Sequence, residues 1–129
     1  MTVLLDTHVL HWVSFAPERL SKRASASVAD SDDLAIAAIT WYELAWLATN
    51  ERIGLSIPID TWLGRLSAQV RTVGITPSIA RTAAALPSTF PGDPADRLIY
   101  ATALETGCEL VTKDERMRKF PHPRRIAIW

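Results

Sequence analysis

Short apolar runs alternate along this chain with stretches whose apolar residues recur at helical spacing. Thr2 to Leu5 reads as a buried strand, and Thr7 to Phe15, apolar at Val9, Leu10, Trp12 and Val13, predicts a helix. Ser21 to Ala29 predicts a second helix. Leu34 to Ile39, apolar throughout, fits a strand covered on both faces. A long helix is expected from Trp41 to about Arg52, then Gly54 and Pro58 punctuate the chain before an amphipathic helix over Ile59 to Val70. Val73 to Ile75 predicts a brief strand, and Pro77 suits the first turn of an Ala-rich helix over Ser78 to Leu86. Pro87, Pro91, Gly92 and Pro94 mark a loop ahead of a helix from Pro94 to about Thr106, which Gly107 stops. Glu109 to Thr112 and Arg125 to Ile128 supply the last two strands. This order requires crossover connections. The expected fold is a three-layer α/β/α sandwich around a central, mainly parallel sheet of four to five strands, as one domain over residues 1–129.

Composition agrees with a globular domain and excludes some classes of function. The chain has 129 residues, 48% hydrophobic and 22% charged, the balance of an ordinary folded protein. No apolar run approaches the roughly 20 residues of a membrane span, and Met1 to Asp6 lacks the basic leader of a signal peptide, so a cytoplasmic location is expected. The single cysteine, Cys108, cannot form an internal disulfide and belongs to no zinc-like spacing; it reads as a small buried hydrophobe. A formal net charge of zero gives no argument for a nucleic-acid partner. Yet Lys113, Arg116, Arg118, Lys119, Arg124 and Arg125 crowd the C-terminal end beside His122, either as a solvated basic face or as a phosphate-binding strip.

The chemistry lies in four acids placed where apolar runs end and helices begin: Asp6, Glu43, Asp96 and Asp114. In an open parallel α/β sheet, ligands bind outside the carboxyl ends of the strands, so acids distant in sequence can meet there. Each acid also has a structural reading, because helix N-termini favour carboxylates. Thr40 to Glu43 matches a capping box, Asp93-Pro94-Ala95-Asp96 matches an N-cap followed by proline and a first-turn acid, and Asp6 and Asp114 match plain N-caps. If the four instead converge, two carboxylates about 4 Å apart repel by roughly 4 kcal/mol at an effective dielectric near 20. Such a cluster protonates or holds a cation. Hard oxygen ligands suit Mg²⁺, with Mn²⁺ as a substitute, and the chemistry indicated is phosphodiester hydrolysis.

Taken together, Leu4-Leu5-Asp6-Thr7-His8, Ile39-Thr40-Trp41-Tyr42-Glu43, Pro91 to Ile99 and Leu110 to Arg116 resemble the motifs of PIN-domain ribonucleases, and within that family those of VapC-type toxins of toxin–antitoxin pairs. The resemblance covers nearly the whole chain. It implies a PIN-like fold and a metal-dependent endoribonuclease in which Asp6, Glu43, Asp96 and Asp114 form the acidic pocket. Asp6 and Asp96 would be the direct metal ligands, with Glu43 and Asp114 as further candidates. Thr7, Thr40, Asp93 and Thr112 would support the acids or the substrate, Asp93 serving as a helix cap or in the metal shell. The resemblance further implies an RNA substrate, a VapB-type antitoxin covering a hydrophobic groove and the acidic pocket, and a homodimer. For Arg97 a structural salt bridge is expected.

Other residues have plainer readings. His8 and His11 are expected on the helix surface or in packing, Trp12, Trp41 and Trp46 in the core, and Phe90 in a loop core rather than stacked on a base. A haloacid-dehalogenase-type phosphatase would carry an aspartate where His8 stands, and a receiver-type domain would carry paired acids within Val3-Leu4-Leu5. A non-catalytic interaction module, with all four acids as caps, is the alternative from another class.

Overall fold

The computed structural model describes residues 1–121 and 124–129. His122 therefore lies outside the described residues. Among the described residues, five strands, β1 (Thr2–Leu5), β2 (Asp33–Ala37), β3 (Arg71–Val73), β4 (Glu109–Val111) and β5 (Ala127–Ile128), form one sheet in the order β3-β2-β1-β4-β5. Every pairing is parallel, with Leu4 opposite both Ala35 and Leu110. Among the described residues, seven α-helices connect the strands: α1 (Thr7–Phe15), α2 (Lys22–Asp30), α3 (Ile39–Thr49), α4 (Ile59–Ser67), α5 (Pro77–Ala85), α6 (Pro94–Thr106) and α7 (Glu115–Arg118). A 3-10 turn at Pro17–Arg19 follows α1.

The two-residue period of the strands divides the interior into two cores. Val3, Leu5, Ile36, Val111 and Ile128 face one side, where they meet Val9 and Leu10 of α1, Ala24 of α2, Leu44 of α3, and Trp62 and Leu66 of α4. Leu4, Ala35, Ala37, Leu110 and Ala127 face the other, against Ile99, Tyr100 and Ala103 of α6 and Met117 of α7. Helix α5 packs through Ile79 and Ala83 onto Ala101 of α6. The result is the α/β/α sandwich expected from the alternation of runs. Among the described residues, no helix is long and apolar enough to cross a membrane.

Several boundaries move, with consequences for the site. Strand β2 ends at Ala37, and α3 begins at Ile39 rather than Trp41, so Ala38 is the N-cap and Thr40 lies within the helix. The capping box read over Thr40 to Glu43 therefore does not form: Thr40 is fully buried and its hydroxyl faces Thr7. Helix α3 stops at Thr49, and Glu51 takes a left-handed φ of 56° that turns the chain away. Strand β3 sits two residues earlier than expected, because at the sheet edge its polar Arg71 is anchored outward on Asp33 by two hydrogen bonds. Gly107 ends α6 with φ 70°, the left-handed C-terminal stop its position indicates.

The loop before α6 is organised by Arg97. Its guanidinium donates to the carbonyl oxygens of Pro91 (3.1 Å), Ala83 (3.3 Å), Leu86 (2.8 Å) and Pro87 (3.1 Å). The salt bridge expected of Arg97 is replaced by backbone acceptors, because the end of α5 presents carbonyls without intrahelical partners and a partial negative charge. Phe90 fills the loop interior at 2% exposure, its ring packed on Tyr100 and Phe120. Cys108 is buried. Trp62 is the fully buried tryptophan, whereas Trp46 is 44% exposed, contrary to its expected core position, and Trp12 and Trp41 are half-buried.

Candidate active site

Parallel strands run their carboxyl ends to one edge of the sheet, and the segments leaving β1, β2 and β4 deliver side chains there. Asp6 follows β1 directly and caps α1, one carboxylate oxygen accepting from Thr7 N at 2.8 Å. Its other oxygen accepts from the Thr112 hydroxyl at 2.6 Å. Glu43 comes from the second turn of α3, after β2, and its Oε1 accepts from the Thr7 hydroxyl at 2.5 Å. Asp114 lies beyond β4 and caps α7, accepting from the backbone N–H groups of Arg116 and Met117. Asp96 departs from the expected pattern of strand ends. It follows α5 and a loop, and enters the site from the first turn of α6.

These four acids line one cleft of about 400 Å³, together with Thr7, His8, Val9, Trp12, Lys113 and Arg116. Asp93 does not line it. It caps α6, accepting from Ala95 N at 2.7 Å and Asp96 N at 3.3 Å, and borders an adjoining groove. Capping and cleft-lining thus coincide in Asp6 and Asp114. They separate at Asp96 and Glu43, which accept no backbone N–H bond among the described residues.

Three buried threonines hold the carboxylates. The single hydroxyl hydrogen of Thr7 goes to Glu43, so in its 3.4 Å contact with Thr40 it is Thr40 that donates. Thr112 donates to Asp6 while accepting from Asp114 N at 3.0 Å, tying two acids to the end of β4 through one oxygen. Thr7, Thr40 and Thr112 are nearly inaccessible, at 3%, 0% and 0% exposure, so this hydrogen-bond set is shielded from competing water.

The electrostatics are those of undercompensated carboxylates. Burial pushes Asp6 above its ordinary range, against the opposing hydrogen bonds from Thr112 and Thr7. Glu43 is raised by burial and by the charges of Asp6 and Asp93, with the Thr7 bond working the other way. Asp96 is raised to about 7, first by burial and then by Asp6, Asp93, Asp114 and Glu43. Its cationic neighbour is Arg116, 3.7 Å away. Asp114 is the exception. Burial pushes it up, but the Arg116 side chain at 3.1 Å and the N–H groups of Arg116 and Met117 hold it below the ordinary range.

Among the described residues, no group of three or more acids, histidines or cysteines is drawn together into a ready cage for a metal. The donor set instead fits a divalent ion that keeps several waters and takes one or two carboxylates, as Mg²⁺ does. Asp96, pushed up by burial and then by its acidic neighbours, is a group whose ionised form a cation would stabilise.

Sequence reasoning did not place Arg116, Lys113, His8 or Trp12 at this cleft. Arg116 had a legible signal: it stands two residues after an N-cap aspartate, where its side chain can return to that carboxylate. His8 is exposed on the cleft wall, while His11 packs, its Nδ1 accepting from Trp62 Nε1 at 3.1 Å and its ring stacked on Phe15.

Comparison with known proteins places this geometry in context. The family model described as PIN domain matches residues 3–123. Ribonuclease VapC22 of Mycobacterium tuberculosis (strain ATCC 25618 / H37Rv) is 62% identical over 128 residues, which cover 99% of this chain and 98% of that protein. Among solved structures, a toxin–antitoxin complex from Klebsiella pneumoniae holds a chain with a TM-score of 0.68 and 21% identity, over 98% of this chain and 96% of its own. VapBC2 from Rickettsia felis, bound to a DNA fragment from its promoter, gives a TM-score of 0.71 at 15% identity over 94% of each chain. At these identities the structural likeness is one of fold.

Proposed function

The chain belongs to the PIN-domain family, and from that membership we propose that its acidic cleft hydrolyses RNA phosphodiester bonds with a divalent metal ion, as the toxin of a toxin–antitoxin pair. The observation that carries the assignment of the site is Asp96: a carboxylate raised to about 7, accepting no N–H bond among the described residues, and facing four other acids. A carboxylate serving only the fold would be neutralised by a cap or a close ion pair, as Asp114 is.

In this reading Asp6 and Asp96 hold the ion, with Glu43 and Asp114 bordering it, and Mg²⁺ is the expected metal with Mn²⁺ able to replace it. When bound, such an ion stabilises charge on the phosphate and lowers the pKa of a coordinated water. The protein's residues do the rest. Thr7 N and the Thr112 hydroxyl fix both oxygens of Asp6, and the Thr7 hydroxyl fixes Glu43 through Oε1, leaving Glu43 Oε2 without a hydrogen bond among the described residues and able to accept a proton from the attacking water. Arg116 restrains Asp114 and offers a cation to the substrate phosphate. Attack by water leaves a 5′-phosphate and a 3′-hydroxyl, so no side chain acts as nucleophile.

The same membership supports a VapB-type antitoxin partner and a homodimer. Beside the cleft lies a groove of about 380 Å³ lined by Ile39, Tyr42, Trp46, Leu47, Pro94 and Ala95, with Glu43 and Asp93 at its border. Tyr42 and Trp46 are 66% and 44% exposed there, the kind of aromatic surface that partners bury. The groove suits an antitoxin segment that reaches on toward the acids.

Two expected outcomes test the function. Purified protein free of antitoxin should cut total cellular RNA into discrete fragments with Mg²⁺ or Mn²⁺ and leave it intact with EDTA; folded protein that cuts nothing, or cuts equally well with EDTA, would overturn the proposal. Thr112→Val removes one hydrogen bond to Asp6 and the acceptor for Asp114 N, and should weaken Mn²⁺ binding by roughly 10- to 100-fold in calorimetric titration. Thr112→Ser, which keeps the hydroxyl, should bind nearly as the wild type does.

A further inference from the structure

A second concavity shares a wall with the acidic cleft. Its volume is about 460 Å³, within the range of small-ligand pockets, and its lining includes His8, His11, Trp12, Arg19 and Arg52. His8 and Trp12 line both cavities, so the two are continuous across the exposed face of α1. Among the described residues, no acid lines this second one. In a chain of zero formal net charge, that makes it a local positive site beside a negative one.

The state of the cations distinguishes this site from a solvated basic face. Arg97 is occupied by carbonyls, Arg71 by Asp33, Arg116 by Asp96 and Asp114, and Arg118 and Lys119 by Glu115. Among the described residues, Arg19 and Arg52 form no salt bridge, which Arg65 and Arg81 share, but their aromatic neighbours set them apart. Each is held by an aromatic ring instead, Arg19 over Trp12 at 5.9 Å and Arg52 over Trp46 at 5.8 Å. A ring positions a guanidinium without neutralising it and leaves its N–H donors free. Lys113 of the acidic cleft also lies over Trp12, at 5.9 Å, so cations border both cavities around one indole.

We propose that the cavity bounded by His8, Trp12, Arg19 and Arg52 is a substrate subsite that holds an unpaired RNA nucleotide adjacent to the scissile phosphate. The inference rests on the ribonuclease reading of the acidic cleft. Arg19 and Arg52 bind the backbone phosphate through charge-assisted hydrogen bonds, and the exposed His8 ring and the Arg19 guanidinium plane offer stacking surfaces to the base. Stacking faces beside unpaired cations are the recognition elements of single-stranded nucleic acid. An acidic protein segment would use the cations but has no need of the stacking faces or of continuity with the metal-binding acids.

The test uses Arg19→Ala/Arg52→Ala, its conservative counterpart Arg19→Lys/Arg52→Lys, and a charge-matched control, Arg65→Ala/Arg81→Ala, on α4 and α5. With a short fluorescein-labelled single-stranded RNA in EDTA, the alanine pair at the subsite should bind about tenfold more weakly by anisotropy. The slope of log affinity against log salt should become shallower by about 0.7 for each phosphate that the variant no longer neutralises. The lysine pair should restore the salt slope, and the control should match the wild type. In Mg²⁺, the alanine pair should raise KM by a larger factor than it changes kcat. Metal-dependent cleavage by the wild type with unchanged KM and salt slope in the alanine pair would overturn the subsite and leave the ribonuclease reading intact. Unchanged RNA binding with lost binding of a labelled glutamate-rich peptide would overturn it in favour of an acidic protein partner. Absence of wild-type cleavage would remove the reading on which the subsite rests.

Discussion

Asp96→Asn should abolish RNA cleavage and, at the same time, make the metal-free protein more stable above neutral pH. Both effects arise because this carboxylate is part-buried and held among Asp6, Asp93, Asp114 and Glu43, with Arg116 as its cationic neighbour at 3.7 Å. The folded state raises Asp96 from an ordinary value of 3.8 to about 7. Between those values the folded chain binds more proton than the unfolded chain, so stability falls as pH rises through the window. Below it the group is neutral in both states and contributes no penalty. Above about 7 the penalty is fully present. Asparagine cannot ionise, so thermal melts of variant and wild type in EDTA should diverge progressively from acid to neutral pH, with the variant melting higher. Millimolar Mg²⁺ should raise the wild-type melting temperature and scarcely move the variant, because an ion bound only by the folded state stabilises that state. A variant that cleaves like the wild type, or melts below it at every pH, would remove Asp96 from its assigned role.

Arg97→Ala should produce the largest loss of stability from a single polar side chain here. The substitution takes the donor from the carbonyls of Leu86 and Pro91 and the second donor from those of Ala83 and Pro87, which keep the N–H groups of Leu86 and Phe90; together these four close α5 and hold the loop that delivers Asp96. Water can reach some of these acceptors, so the full sum of charged hydrogen bonds is not forfeited, and a loss of about 3 kcal/mol is expected. Urea denaturation measures it directly. Lysine has no planar fork and can satisfy these directions only in part, so Arg97→Lys should recover less than half of the loss. At a temperature where the alanine variant remains folded, cleavage should still fall by about 100-fold, because small displacements of a catalytic group are costly and Asp96, the proposed metal ligand, is the adjacent residue. Unchanged stability with intact activity would show that the loop is held by its prolines and Phe90 alone.

Much of the candidate site's geometry was legible because it is local. Asp6 and Asp114 immediately precede helices, the Asp93-Pro94 pair opens α6, and Gly107 closes it; each follows from backbone groups that the nearest residues must satisfy. The division of apolar residues between the two faces of β1, β2, β4 and β5 was likewise in the sequence, since side chains alternate and both faces are covered. The capping box at Thr40 to Glu43 was a local pattern that lost. Helix α3 begins earlier, and the burial of Thr40 against Thr7 and the pull of the Thr7 hydroxyl on Glu43 come from a different segment.

The sequence by itself determined the alternation of strands and helices, the parallel sheet, and the arrival of Asp6, Glu43 and Asp114 at one end of it. Tertiary structure alone decided that Asp96 enters from a helix rather than a strand end, that Arg97 serves carbonyls rather than an acid, and that Arg116 lies between Asp96 and Asp114. It also placed Arg19 and Arg52, each over an aromatic ring, in the cavity beside the acidic cleft. The physical reason is range. Periodicity and capping depend on neighbours within a few residues, whereas desolvation and charge coupling depend on what folding brings within a few ångströms from segments far apart in the chain.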